Sequence, residues 1–254
     1  MTTVLVSADI TSDTTWIGGV NYIITKEIVV KTGVTLTILD YASVCFLNGS
    51  SFSITFQPGS FLVAGKVKSF GVDSSYNPVS TANSGGWIFY GTRAAFNGVI
   101  PVRSSRFRIY EMSLANMGNS IIGAINVIYG NEYETDFNLL KFTNTTAPLR
   151  SIFSTVNIYQ LGLTNTVGIS LSGSVLNIFK KFKVVGGSVV NSLITSSIIL
   201  KQNIRLYINA TLANTFKITT NDIRIPTTVP YATPYVANVV NVQSRTRIYP
   251  LLVL

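Results

Sequence analysis

The chain contains no histidine among its 254 residues. That absence excludes the serine–histidine–acid triad, the cysteine–histidine pair and histidine-ligated zinc or iron. Its single cysteine, Cys45, rules out an intramolecular disulfide and any zinc site built on paired thiolates. A lone thiol of this kind is expected to be a small buried apolar residue. Charge is scarce as well: Asp, Glu, Lys and Arg make up 11% of the chain, against ~25% in ordinary globular proteins. No apolar run reaches the ~18 residues that a membrane-crossing helix needs. The opening "MTTVLVSADITSDTTW" lacks the basic start, apolar block and small-residue cleavage site of a secretory leader. The expectation is therefore a protein that is soluble or held in an assembly, without export by the secretory route. The sequons at Asn48, Asn144 and Asn209 are then chance matches.

What is present is apolar and basic. Hydrophobic residues are 47% of the chain, and 19 basic against 10 acidic side chains leave a net charge of +9. Such an excess favours an anionic partner. It clusters only in "RSSRFR", with Arg103, Arg106 and Arg108, and in "KKFK", with Lys180, Lys181 and Lys183. Neither stretch belongs to a nucleic-acid-binding module, so nucleic acid is not the expected partner.

Apolar residues alternate at Val20, Tyr22 and Ile24, then at Val34, Leu36 and Ile38, and again at Phe52, Ile54 and Phe56. Period two means strands. Corners fall at Gly33, Asn48, Gly49 and Gly59, so the strands are short, about 4 to 6 residues. The glycine-led segments "TGVTLTI" and "PGSFLVA" place Gly33 and Gly59 26 residues apart, a suitable length for one turn of a solenoid. A second pair, "SGSVLNI" and "GGSVVNS", recurs after 14 residues and suggests a different period. Stacked coils share one core and need few charges. The fold class expected is all-β, a right-handed parallel β-helix over residues 1–225. A jelly roll or β-sandwich is the alternative, favoured by Asn-Gly hairpin signals at Asn48 and Asn97. Residues 71–86, "GVDSSYNPVSTANSGG", read as a long loop, and residues 109–117 as a helix-like interruption. Residues 226–254, with prolines at 226, 230, 234 and 250, read as an extended arm. The arm ends in Leu251, Leu252, Val253 and Leu254. Leaving those four exposed forfeits roughly 1.5 to 3 kcal/mol each, so they are expected to cap the core or contact a neighbouring subunit.

The stretch "TTWIGGVNYIITKEIVVKTGVTLTILDYASVCF" carries a resemblance. Trp16, Gly18, Gly19, Tyr22, Val30, Gly33, Val34, Leu36 and Ile38 match the entry segment of right-handed parallel β-helix (pectin-lyase-like) proteins. A Pro-Gly corner usual there is replaced by Asp40, Tyr41 and Ala42. The match covers residues 10–70. It implies the fold, and a place among surface proteins, adhesins, phage tailspikes, virion proteins of large viruses or polysaccharide-cleaving enzymes. In the resembling lyases, acidic side chains hold calcium beside an arginine or lysine base.

In "GNEYETDF", Glu132, Glu134 and Asp136 fall two apart on one strand face. Their mutual repulsion favours a cation, and calcium is the possible cofactor; a solvated acidic turn is the plainer alternative. Asp9 and Asp13 form a possible glycosidase couple, although Asp13 also suits a turn cap. Arg106 and Arg108 share a face with Phe107 opposite, and with Arg103 form a candidate anion or glycan site. Tyr76, Trp87, Phe89 and Tyr90 are candidate sugar-stacking rings, or core. The functional expectation is a non-enzymatic structural or attachment subunit of a virion or surface assembly, a homo-oligomer, with a trimer suiting a rod-like fibre. A polysaccharide lyase or hydrolase, or a glycan-binding module, is the alternative.

Overall fold

The computed structural model describes residues 2–91, 105–119, 121–129, 135–188, 190–200, 205–211, 217–218, 222–226 and 247–251. All named strand pairs among them are parallel. The chain is a parallel β-solenoid of about seven turns, with no helix among the described residues. Among the described residues no helix is long and apolar enough to cross a membrane.

The first turn holds β1 (Thr2–Val6), a bridge from Ile10 to Val30, and β2 (Thr14–Trp16). The second holds β3 (Val20–Ile24), β4 (Ile28–Val30) and β5 (Thr35–Ile38), and the third begins with β6 (Ser43–Leu47) and β7 (Ile54–Phe56). From here one strand serves two turns. β8 (Phe61–Val72) pairs through its first half with β5 and through its second half with β6. The same plan repeats in β10 (Arg106–Ala115), β12 (Thr135–Thr143), β14 (Thr155–Thr166) and β16 (Val175–Ser188). Between them, β9 (Trp87–Tyr90), β11 (Ile125–Ile128), β13 (Leu149–Ile152), β15 (Ile169–Ser172) and β17 (Val190–Ile194) extend the sheet begun by β4 and β7. β18 (Ser197–Leu200), β19 (Arg205–Thr211), β20 (Lys217–Ile218), β21 (Asp222–Pro226) and β22 (Arg247–Leu251) continue the larger sheet.

Parallel stacking puts like positions of successive turns in columns, and the inward columns are mostly apolar, with Ser69 and Ser151 among the exceptions. One runs Trp16, Ile38, Ala64, Ile109, Phe137, Ile158, Ile178 and Leu200, all buried. Across the interior, Phe56, Phe89, Phe107 and Phe137 touch in series, with ring centroids 4.9, 4.5 and 4.3 Å apart. A single hydrophobic cluster thus runs from Ile10 to Leu200. Some of the buried polar groups are paired across turns. Trp87 donates Nε1–H to Ser69 Oγ at 3.1 Å, and Ser69 donates in turn to the Val44 carbonyl at 3.0 Å.

Corners are stacked too. Asn116, Asn144 and Asn165 occupy equivalent positions with φ of 53°, 50° and 51°. Asparagine tolerates this left-handed conformation better than other non-glycine residues. At another corner Ser154 and Ser174 donate backbone N–H groups to the hydroxyls of Ser174 and Ser196, at 3.1 and 2.9 Å. Each of the three hydroxyls donates to the carbonyl two residues back.

Several expectations change. Residues 109–117 are not helical, since Ile109–Ala115 lies within β10. The alternation slips there: Ile109 and Met112 both point inward, with Tyr110 and Glu111 between them. Two inward residues three apart imitate a helical period. The loop starts at Asp73 rather than 71, because β8 runs through Val72. It is tied down, with Asp73 Oδ1 accepting the N–H groups of Ser75 and Asn77 at 2.8 and 2.9 Å, and Ser84 bridging Asn48 and Gly118. The 26-residue spacing is one turn, with Thr35 opposite Phe61 and the Gly33 N–H donating to the Gly59 carbonyl, but it does not recur as a period. The 14-residue one does not: Val175 lies opposite Ser197, 22 residues on. Asn48 turns the chain into the next parallel segment rather than into a hairpin, and Asn97 is outside the described residues. Of the expected arm, only Asp222–Pro226 at its boundary and Arg247–Leu251 are described, and these two pair in parallel.

Candidate functional site

The phase slip that imitates a helix also shapes the surface. In β8, β10, β12 and β14 two consecutive residues face outward where the two halves meet, and in β16 three, Phe179 to Lys181, lie between inward Ile178 and Phe182 across a register shift. The ladder registers skip the first of each pair: Gly65, Tyr110, Asn138 and Tyr159. A groove of about 780 Å³ runs along that column. Asp40, Gly65, Arg108, Tyr110, Asn138 and Tyr159 are among its lining residues. Gly65 leaves room for the Asp40 carboxylate, which a Cβ there would displace and whose Oδ1 accepts the Lys66 N–H at 2.7 Å. Asn138 donates Nδ2–H to the Tyr110 carbonyl at 3.3 Å. The tyrosine rings remain open to solvent, Tyr110 at 57% and Tyr159 at 36% exposure. Lys66 Nζ lies 5.8 Å from the Tyr110 ring and Lys180 Nζ 5.6 Å from the Tyr159 ring. Phe179 stacks on Tyr159 at 5.2 Å.

Beside the groove lies a flat outward face rich in lysine. One column reads Lys66, Glu111, Leu139, Gln160, Lys181; another reads Lys68, Ser113, Lys141, Gly162, Lys183. Glu111 is the one acidic residue in these two columns, and its Oε1 lies 2.6 Å from Lys141 Nζ. Smaller hollows of about 310 and 270 Å³ open between the lysines, one at Lys141, Gly162 and Lys183, the other at Lys66, Lys68 and Glu111.

The sequence candidates distribute unevenly. Arg108 lines the groove, whereas Arg106, one face with it on β10, lies over the Phe61 ring at 4.9 Å, and Phe107 between them is buried. Lys180, Lys181 and Lys183 fall on this same side of the molecule, so the two basic clusters meet there across β10 to β16. Arg103, Glu132, Glu134 and Leu252, Val253 and Leu254 lie outside the described residues. Of the acidic cluster only Asp136 is placed, its backbone opposite Arg108, and of the apolar tail only Leu251, in β22. Among the described residues no group of three or more acidic or thiol side chains gathers as a metal site.

Asp9 and Asp13 each engage a backbone amide of the next turn. Asp9 accepts the Val29 N–H at 3.0 Å and pairs with Lys31 at 3.0 Å; Asp13 accepts the Thr35 N–H at 2.8 Å. Each caps a different strand. The lysine and the amide hold the Asp9 carboxyl below its ordinary range. Trp87 and Phe89 are core, while Tyr76 is exposed at 40% on the loop. Cys45 is buried, and burial pushes its thiol up to about 12.

Sequence reasoning missed Tyr110, Asn138, Tyr159, Lys66, Lys68 and Lys141. Their shared signal is the phase slip itself, visible in "AGKV", "IYEM", "FNLL" and "IYQL". Each has an inward residue at both ends and two outward ones between. No family model, curated protein or solved structure matches this chain.

Proposed function

We propose that the protein is a non-enzymatic structural or attachment subunit of a surface or virion assembly, associating through the ends of its solenoid. The observation that carries this reading is the uninterrupted core from Ile10 to Leu200. A stack in which each turn contacts its neighbours behaves as a stiff spacer, able to hold an end surface at a distance. Its terminal turns expose strand edges that a further stack can cover. β1 is such an edge: it pairs on one side with β3, and Val4 and Leu5 are exposed. The scarcity of charge agrees with a surface partly covered by neighbours.

Sedimentation of the full chain beside a chain truncated after residue 226 tests this. Assembly of the full chain, weakened or lost on truncation while circular dichroism keeps its β signature, is the expected result. A monomer in both forms, with equal stability and solubility, overturns it.

A further inference from the structure

The rings and the cations alternate along the solenoid axis. β10 and β14 carry Tyr110 and Tyr159 at the corner, with the small residues Ser113 and Gly162 in the lysine column. β8, β12 and β16 carry Lys68, Lys141 and Lys183 in that column, and at the corner β8 and β12 carry Gly65 and Asn138. Adjacent parallel strands are ~4.8 Å apart. Both the tyrosines and the lysines therefore recur about every 10 Å along the axis, displaced from one another by one strand. This interval is close to the length of a disaccharide in an extended glycan.

We infer that this face binds an extended acidic polysaccharide with one charged group per disaccharide, its neutral sugars on Tyr110 and Tyr159 and its charges toward Lys68, Lys141 and Lys183. The apolar C–H face of a sugar suits an exposed tyrosine ring, and the ring's hydroxyl suits its wet edge. Lys66 and Lys180 border the rings, and the groove lining adds Arg108 together with one acid, Asp40, whose carboxylate is engaged by the Lys66 N–H. The lysine column stands three residues along the strands from the corner, about 10 Å to one side. Flexible lysine stems span part of that distance. The Glu111–Lys141 contact is half-exposed, and a surface pair of that kind is worth ~1 kcal/mol or less. An anionic substituent competes with Glu111 for Lys141 at little cost. A single-stranded nucleic acid also combines charge with stacking faces, but its phosphates recur with every nucleotide rather than in alternation with neutral units.

The inference deepens the attachment reading and rests on it, yet it is tested by binding rather than by assembly. Calorimetry on the full chain with hyaluronan oligosaccharides, which carry one carboxylate per disaccharide, is the direct experiment. Expected is binding that weakens with salt, and a loss of about tenfold or more in affinity on Tyr110→Ala or Tyr159→Ala. Lys68→Ala and Lys141→Ala also weaken it and flatten the salt dependence, whereas Lys26→Ala, an exposed lysine on another corner, leaves it unchanged. Unchanged melting of each variant shows that folding is intact. Absence of hyaluronan binding, equal binding of a neutral cello-oligosaccharide, tighter binding of oligo-dT, or affinity indifferent to both tyrosine substitutions overturns the inference. None of these outcomes bears on the sedimentation result, so the scaffold reading stands or falls separately.

Discussion

Phe107→Ala is the most informative single perturbation. The side chain is fully buried, and its ring meets Phe89 at 4.5 Å and Phe137 at 4.3 Å, midway along the row of aromatics that spans the core. Truncating a buried phenylalanine costs ~3–5 kcal/mol through lost transfer energy and a residual cavity, the lost ring pairs included. Domains are stable by only ~5–15 kcal/mol, so the loss is a large fraction of the whole. With a urea m-value of about 3 kcal/mol per M, the unfolding midpoint falls by about 1–2 M. The two tryptophans, Trp16 and Trp87, are both buried on the N-terminal side of Phe107, so their fluorescence reports the early turns, whereas circular dichroism reports all of them. A stack held together by neighbour contacts is expected to lose cooperativity at a weakened junction. In Phe107→Ala the two probes therefore separate, while in the parent they coincide. A midpoint within error of the parent's refutes the central position of Phe107 in the packing.

Three further outcomes are expected. Ser174→Ala removes the hydroxyl that accepts the Ser154 N–H at 3.1 Å inside the corner stack, and leaving that donor unpaired lowers stability by about 1–3 kcal/mol in chemical denaturation; a neutral result refutes the role of the serine stack. Cys45, its thiol raised to about 12 by burial, stays unlabelled by a thiol reagent near neutral pH until denaturant is added, and stoichiometric labelling of the native protein contradicts the burial. The Asp9 carboxyl is held below its ordinary 3.8 by Lys31 first and the Val29 amide second. Its contribution to stability is therefore present above that value and lost as pH falls through the lower folded value. Carboxyl NMR titration should find this depression, and Lys31→Ala should relieve most of it; an unchanged titration in the variant refutes the pairing.

Much of the architecture was legible along the chain because a solenoid repeats local rules. Alternation at Val34, Leu36 and Ile38 marks inward positions in any strand, whatever lies beside it. The positive φ at Gly33 and Gly59 marks corners for a reason internal to the backbone. The helix-like reading of Ile109 to Met117 failed on a local ambiguity: two inward residues three apart fit a helical turn and a bent strand equally well.

The candidate site lay beyond reach for a different reason. Tyr110 and Tyr159 are 49 positions apart in sequence, and what makes them one surface is the register that sets both beside Asn138. Turn lengths differ, from 18 residues between Thr2 and Val20 to 45 between Phe61 and Arg106, so no fixed period aligns them. By itself the sequence determined that the chain forms strands with one apolar side, lacks histidine chemistry and carries an excess of positive charge, although five strands of 9 to 14 residues, each serving two turns, exceed the short lengths its corners suggested. Only the tertiary structure decided which strands lie side by side, and with that, which lysines and rings share a face. The physical reason is that side-chain direction is a local property of the backbone, whereas register is settled by packing over the whole core.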